Sequence, residues 1–336
     1  MTTNEILEKI LDAKKVGDIF EKDVTRIKQQ FRAFAKCIHP DVCSDVRAQE
    51  AFTKLNKFYE TALDYISKGT WEATGVLQLT PKIMMAGIRN VSAFELGARY
   101  VSDTKIAYIF DFSKDTYFSN YTAKLTQAAR FRDSKIKMAY QNKIPMIKTI
   151  ADMSYGRKAI VVGKTPDDYP MDLFLKAYGD KLTGRDIAWM ISRMCDLLCF
   201  LYINSSMVLN GFTKENLLIC PKTHTISIFG GWWYATVNGA SMIGTNRTVY
   251  NCMSSLTRTN KIATPQTDIE SMRYICSELV KGKSNIPKPI LDWINSGSSN
   301  DPVKTYNDWN AALDKAYGQR RFVKFEVDSD KIYGKL

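Results

Sequence analysis

Pro40 stands between two apolar stripes of helical period, and that arrangement leaves few options for the first seventy or so residues. Val24, Ile27, Phe31, Ala35 and Ile38 recur at the spacing of one helix face, and Phe52, Leu55, Tyr59, Ala62 and Ile66 repeat the pattern. Each stripe must bury against something, and a polar loop between them predicts an antiparallel helical hairpin. Pro40 fixes its own φ and pushes His39 out of the helical region, so the loop Ile38-His39-Pro40-Asp41 is held in one shape. On the outer face of the first helix, Lys28, Arg32 and Lys36 fall at i, i+4 and i+8, a positive ridge ending at that loop.

These residues resemble a J-domain, the module of DnaJ-type co-chaperones. The matching words are Arg32-Ala33-Phe34-Ala35-Lys36-Cys37-Ile38-His39-Pro40-Asp41 and Ala51-Phe52-Thr53-Lys54-Leu55-Asn56-Lys57-Phe58-Tyr59-Glu60, in register over about residues 4–69. In that family the basic helix and the tripeptide dock onto a DnaK-type chaperone and trigger its ATP hydrolysis. The resemblance therefore implies His39, Pro40 and Asp41 as the trigger, with Lys28, Arg32 and Lys36 as electrostatic guides. The plainer reading is a chance tripeptide in an ordinary hairpin. The tripeptide, the basic helix and the following helix agree, which favours the first reading.

At 336 residues the chain has room for two or three domains, and 45% hydrophobic with 24% charged residues is ordinary for a globular protein. The apolar run 197–203 is too short to span a bilayer and the N-terminus has no signal-peptide pattern, so no membrane partner is expected. Seven cysteines without paired spacing favour a reducing cytoplasm over a disulfide framework. Cys195 and Cys199, one helical turn apart, match half of a metal site. With only His39 and His224 available and no second cysteine pair, buried thiols are the better reading, and neither metal nor cofactor is expected. The net charge of +12 favours acidic partners, but the basic residues are spread, with one local knot at Arg320, Arg321 and Lys324. Nucleic acid is an alternative partner, not the favoured one.

Along the chain, residues 71–79 read as a linker and 88–112 as strands, followed by a helix over 117–131 and strands over 145–150 and 159–162. Residues 164–169, with Pro166, look like a hinge. Beyond it Thr183 and Asp186 form a capping box for a helix whose inner face carries Ile187, Met190, Ile191, Met194, Leu198 and Leu201. Short strands over 217–220 and 225–229 follow, joined by a turn at 221–224. A helix then starts near Asp268, helical pieces surround Trp293 and Trp309, and 321–327 alternates like a strand. The expected fold class is α+β and multidomain. A helical hairpin covers 1–70, a small β-rich lobe 71–163 and a larger α-rich lobe 164–336.

The two lobes resemble a protein kinase over about residues 76–315. Gly211-Phe212-Thr213-Lys214-Glu215-Asn216-Leu217-Leu218-Ile219 is similar to the catalytic loop, and Ser227-Ile228-Phe229-Gly230-Gly231 to the strand ending in the metal-binding Asp-Phe-Gly. Thr267-Asp268-Ile269-Glu270-Ser271-Met272, with Glu278-Leu279-Val280-Lys281-Gly282 beyond it, is similar to the helix that braces that loop. Phosphoryl transfer needs its parts in place. With Asn216 aligned to the loop asparagine, the family's catalytic base falls on Gly211 and its metal-binding aspartate on Phe229. The phosphate lysine falls near Phe110, and Gly97 stands alone where a glycine-rich loop is expected. Asn216 and Asp268 survive, and both have plain structural uses. The resemblance implies a pseudokinase, the fold without the reaction. The aromatic run Trp232-Trp233-Tyr234 reads either as filling for the vacated cleft, the favoured reading, or as an exposed patch for a protein partner.

The leading function is then a co-chaperone adaptor: the J-domain recruits a DnaK-type chaperone and the kinase-like body holds an unidentified client or partner. An atypical kinase or nucleotide sensor is the alternative, and a basic nucleic-acid binder the second. The Lys-, Asn-, Ile- and Tyr-rich composition with this pairing of modules points to a bacterial virus or mobile element, and so to the cytoplasm of a bacterial host.

Overall fold

A computed structural model describes residues 1–13, 16–21, 23–68, 76–319 and 324–333. Among the described residues the N-terminal unit has three α-helices rather than two: α1 (Thr3–Asp12), α2 (Val24–Ile38) and α3 (Ala48–Lys68). The Thr2 hydroxyl accepts from the Glu5 N–H while the Glu5 carboxylate accepts from the Thr2 N–H, a reciprocal cap that starts α1. Asp23 caps α2 through the Arg26 N–H. Ile6, Leu7 and Ile10 of α1 join Ile27, Ile38, Ala51, Leu55 and Ala62 in a core drawn from this unit alone. The extra helix turns the buried face of α2. Phe34 enters the core beneath Lys9, Phe31 and Ala35 are only partly buried, and Val24 is exposed. Phe31 instead stacks on Tyr59, ring centroids 4.0 Å apart.

The small lobe opens with an antiparallel pair, β1 (Val76–Thr80) and β2 (Ile83–Ala86). The linker reading of 71–79 is therefore corrected from Val76 onward, and residues 71–75 lie outside the described residues. Leu77 and Leu79 turn inward with Gln78 outward, an alternation that makes a strand. Next come β3 (Ile88–Phe94), β4 (Gly97–Ser102) and β5 (Lys105–Phe110), then α4 (Asp115–Ala128) and α5 (Ser134–Tyr140), then β6 (Met146–Asp152) and β7 (Lys158–Gly163). The five strands pair antiparallel in the order β3-β4-β5-β7-β6. Tyr121 and Leu125 of α4 pack on one face with Tyr108 and Phe110, while Leu77, Leu79 and Met85 of the first pair close the other over Tyr100, Ala107 and Ile109.

Residues 164–169 join the lobes, and the buried Lys164 ammonium donates to the carbonyls of Asp103, Thr165 and Asp168. The large lobe contains β8 (Tyr169–Pro170), α6 (Met171–Tyr178), α7 (Gly184–Ser205), β9 (Met207–Val208), β10 (Leu217–Cys220), β11 (Thr225–Ile228), β12 (Thr236–Val237), α8 (Arg247–Cys252), α9 (Ser255–Asn260), α10 (Pro265–Val280), α11 (Lys288–Asn295), α12 (Pro302–Tyr317) and α13 (Ser329–Tyr333). The capping box of Thr183 and Asp186 starts α7, which runs through the middle of the lobe. α10 begins at Pro265 rather than near Asp268, because proline suits the first helical position. Residues 324–328 form no strand, which corrects that expectation; Arg320, Arg321, Phe322 and Val323 lie outside the described residues. Phe325 packs edge-on against Phe174 and Tyr178 of α6, so its apolar side is buried without a ladder partner. Cys195 and Cys199 are buried in α7, where burial pushes the Cys199 thiol up to about 12, and the Cys195 sulfur lies 3.7 Å from that of Met272. No described helix is long and apolar enough to cross a membrane.

Candidate functional site

Asp268, in the first turn of α10, is buried beneath the loop that precedes β10. Its carboxylate accepts from the backbone N–H groups of Leu209 (2.6 Å) and Asn210 (2.9 Å). Burial pushes its pKa up to about 7, against the opposing pull of those two amides. A carboxyl raised in this way binds more protons folded than unfolded between about pH 4 and pH 7. Its contribution to stability is therefore lost as the pH rises through that window. Asp268→Asn is expected to flatten that part of the pH profile, measured by urea unfolding at successive pH values. An unchanged slope would show that the carboxyl titrates normally.

The same loop is tied to the end of β11. The Asn216 amide donates to the Gly211 carbonyl at 2.8 Å, and the Asn216 carbonyl accepts from the N–H groups of Phe229 and Gly230 at 2.9 and 3.0 Å. A Cβ on Gly211 would stand 3.1 Å from the Gly231 Cα, so loop and strand end are in backbone contact. Phe229 is buried, and its carbonyl accepts from the Tyr121 hydroxyl of α4 at 2.9 Å.

Trp232, Trp233 and Tyr234 follow in a single 3-10 turn, and all three are buried. The Trp233 indole, 1% exposed, stacks on Tyr121 and meets Phe94, Tyr108 and Phe110 of the small-lobe sheet at centroid distances of 4.9 to 5.8 Å. Tyr234 packs against Tyr117 and hydrogen-bonds Glu95 at the tip between β3 and β4. Asn120 of α4 donates to the carbonyls of Trp232, Trp233 and Ala235. The three aromatics are therefore filling, and the exposed-patch alternative is corrected by their burial. Gly97 follows that tip for a steric reason: a Cβ there would overlap the Ile109 carbonyl.

Arg99 of β4 crosses between the lobes toward the hinge side. Its guanidinium holds the Asp172 carboxylate at 2.7 and 3.3 Å and the Glu215 carbonyl at 2.7 Å, while its Nε donates to the Ser92 hydroxyl at 3.0 Å. Sequence reasoning missed this residue. The available signal was one arginine inside an otherwise apolar strand, which demands a buried partner.

No protein-family model matches the sequence, and no curated protein does. Among solved structures, the BubR1 kinase domain matches at 10% identity and a TM-score of 0.51, over 73% of this chain and 84% of that one. Vaccinia related kinase 3 matches at 13% identity and a TM-score of 0.47, over 70% of this chain and 95% of that one.

The chain contains a protein-kinase-like fold. The expected base and metal positions hold Gly211 and Phe229, the expected lysine position lies at Phe110 in the aromatic cluster, and Arg99 bridges the lobes. Asn216 and Asp268 serve backbone hydrogen bonds.

On the N-terminal unit, His39 ends α2 and its Nδ1 accepts from the Asp41 N–H at 3.2 Å. The imidazole rests edge-on against Phe52, whereas the Asp41 side chain is 86% exposed. Pro40 is half-buried, and Lys28, Arg32 and Lys36 are all exposed on α2. The structure thus brings the tripeptide and the ridge onto one helix and its following turn.

Proposed function

We propose that the chain is a co-chaperone adaptor, in which the N-terminal helical unit is a J-domain that recruits and stimulates a DnaK-type chaperone. The kinase-like body is a pseudokinase that holds a client or partner. The observation that carries this reading is the exposed Asp41 carboxylate, held in a proline-fixed turn at the end of a basic helix. The ridge supplies long-range attraction for an acidic surface, and the turn supplies one rigid contact. The filled cleft supports the pseudokinase half and argues against nucleotide sensing. Nucleic-acid binding has only the net charge behind it.

The test is steady-state ATP hydrolysis by a DnaK-type chaperone in the presence of the whole chain. The parent protein is expected to accelerate hydrolysis several-fold, and Asp41→Asn to return it to the basal rate at unchanged thermal stability. A parent chain that gives no acceleration removes the adaptor reading.

A further inference from the structure

A groove of about 270 Å³ lies between α7 and α12 on the large lobe, with the β10–β11 turn at one side. Along its α7 wall Arg185, Trp189 and Arg193 succeed one another at i, i+4 and i+8. The Arg185 guanidinium lies over the Tyr317 ring at 4.5 Å, and the Arg193 Nε donates to the His224 carbonyl at 2.9 Å. Neither arginine is ion-paired among the described residues, and no acidic side chain lines the groove, although the chain holds 35 acidic residues. Between the two arginines the Trp189 indole lies flat against the His224 imidazole, 4.5 Å apart and 2° from parallel. His224 reaches that position from φ +50, a left-handed conformation that costs a non-glycine residue about 1 kcal/mol and that fixes the ring against the tryptophan.

We propose that this groove binds an extended acidic peptide segment of a partner protein, with two carboxylates flanking one apolar residue. The repeats of helix and peptide match. Positions four apart on a helix are separated by about 6 Å along its axis. Alternate residues of an extended chain, which face the same way, are separated by about 6.6 Å. A segment of the form acid-x-apolar-x-acid lying along α7 therefore sets its first carboxylate at Arg185, its apolar side chain at Trp189 and its second carboxylate at Arg193. The arginines stand about 12 Å apart along the axis, too far for a single phosphate to bridge but suited to two carboxylates. Guanidinium pairs carboxylates with directed hydrogen bonds, and the aromatic floor removes the central side chain from water. This inference goes beyond the co-chaperone reading: the groove lies on the other lobe system, and its occupant is a second partner.

Isothermal titration of the whole chain with the blocked peptide acetyl-Gly-Ser-Glu-Ser-Phe-Ser-Glu-Ser-Gly-amide tests it. Saturable one-to-one binding is expected, weakened at least tenfold by Arg185→Gln and by Arg193→Gln. Lys82→Gln, which removes an exposed charge in the β1–β2 turn of the small lobe, is expected to leave it unchanged. A permuted peptide with its two glutamates adjacent is expected to bind the parent chain at least tenfold more weakly, a comparison that needs no variant to fold. Equal affinity for the two peptides, variants that bind like the parent, or no binding by the parent each overturns the proposal, whatever the chaperone assay returns.

Discussion

Trp233→Ala is expected to lower unfolding free energy by about 4 kcal/mol and still leave the chain without affinity for ATP and magnesium. The first half follows from packing. Removing a fully buried tryptophan costs about 3–5 kcal/mol when its surroundings collapse only partly. Here the indole is enclosed by Phe94, Tyr108, Phe110 and Tyr121, which belong to the sheet and helix of the small lobe and cannot easily move inward. Its Nε1 has no acceptor among the described residues, so Trp233→Phe, which deletes that donor and keeps a ring, is expected to lose less than half as much. The second half follows from chemistry. Opening space restores no carboxylate at Phe229 or Gly211, and Arg99 still spans the lobes. Urea unfolding reads the stability, and a thermal shift with ATP and magnesium reads the binding. A rise in melting temperature for the alanine variant alone would mean that the indole, rather than the missing carboxylates, keeps nucleotide out.

Arg99 and Asp172 give the second large effect. Arg99→Met is expected to cost about 3 kcal/mol, because breaking one side of a buried, bidentate pair strands the remaining groups. The Glu215 carbonyl and the Ser92 hydroxyl lose a donor and an interaction partner in the same step. Asp172→Asn is expected to cost less, since Asp172 keeps some access to water. The double variant is expected to fall short of the sum of the two losses by at least 1 kcal/mol, the mark of a direct interaction. Strict additivity would mean that the pair seen in the structure contributes nothing as a pair.

The sequence was most legible where neighbours along the chain decide the outcome. The α7 capping box and the turn at 221–224 both involve residues close in number. The misreadings arose where a distant element intervened. Phe34 replaced part of the expected α2 stripe because α1 packs against it. Arg99 was invisible as a bridge because Asp172 lies 73 residues away, and Asn120 because the carbonyls it gathers lie 112 to 115 residues away. Whether Trp232, Trp233 and Tyr234 faced water or rings was likewise a question about their neighbours. A run of aromatics does not carry its neighbours with it.

The β1–β2 pair has one more consequence. Because it is sealed onto the sheet, the body begins at Val76, and only the seven residues 69–75 separate it from the end of α3. Eight Cα steps stretch to under about 29 Å. Whatever binds the helical unit is thus held within that reach of the kinase-like body.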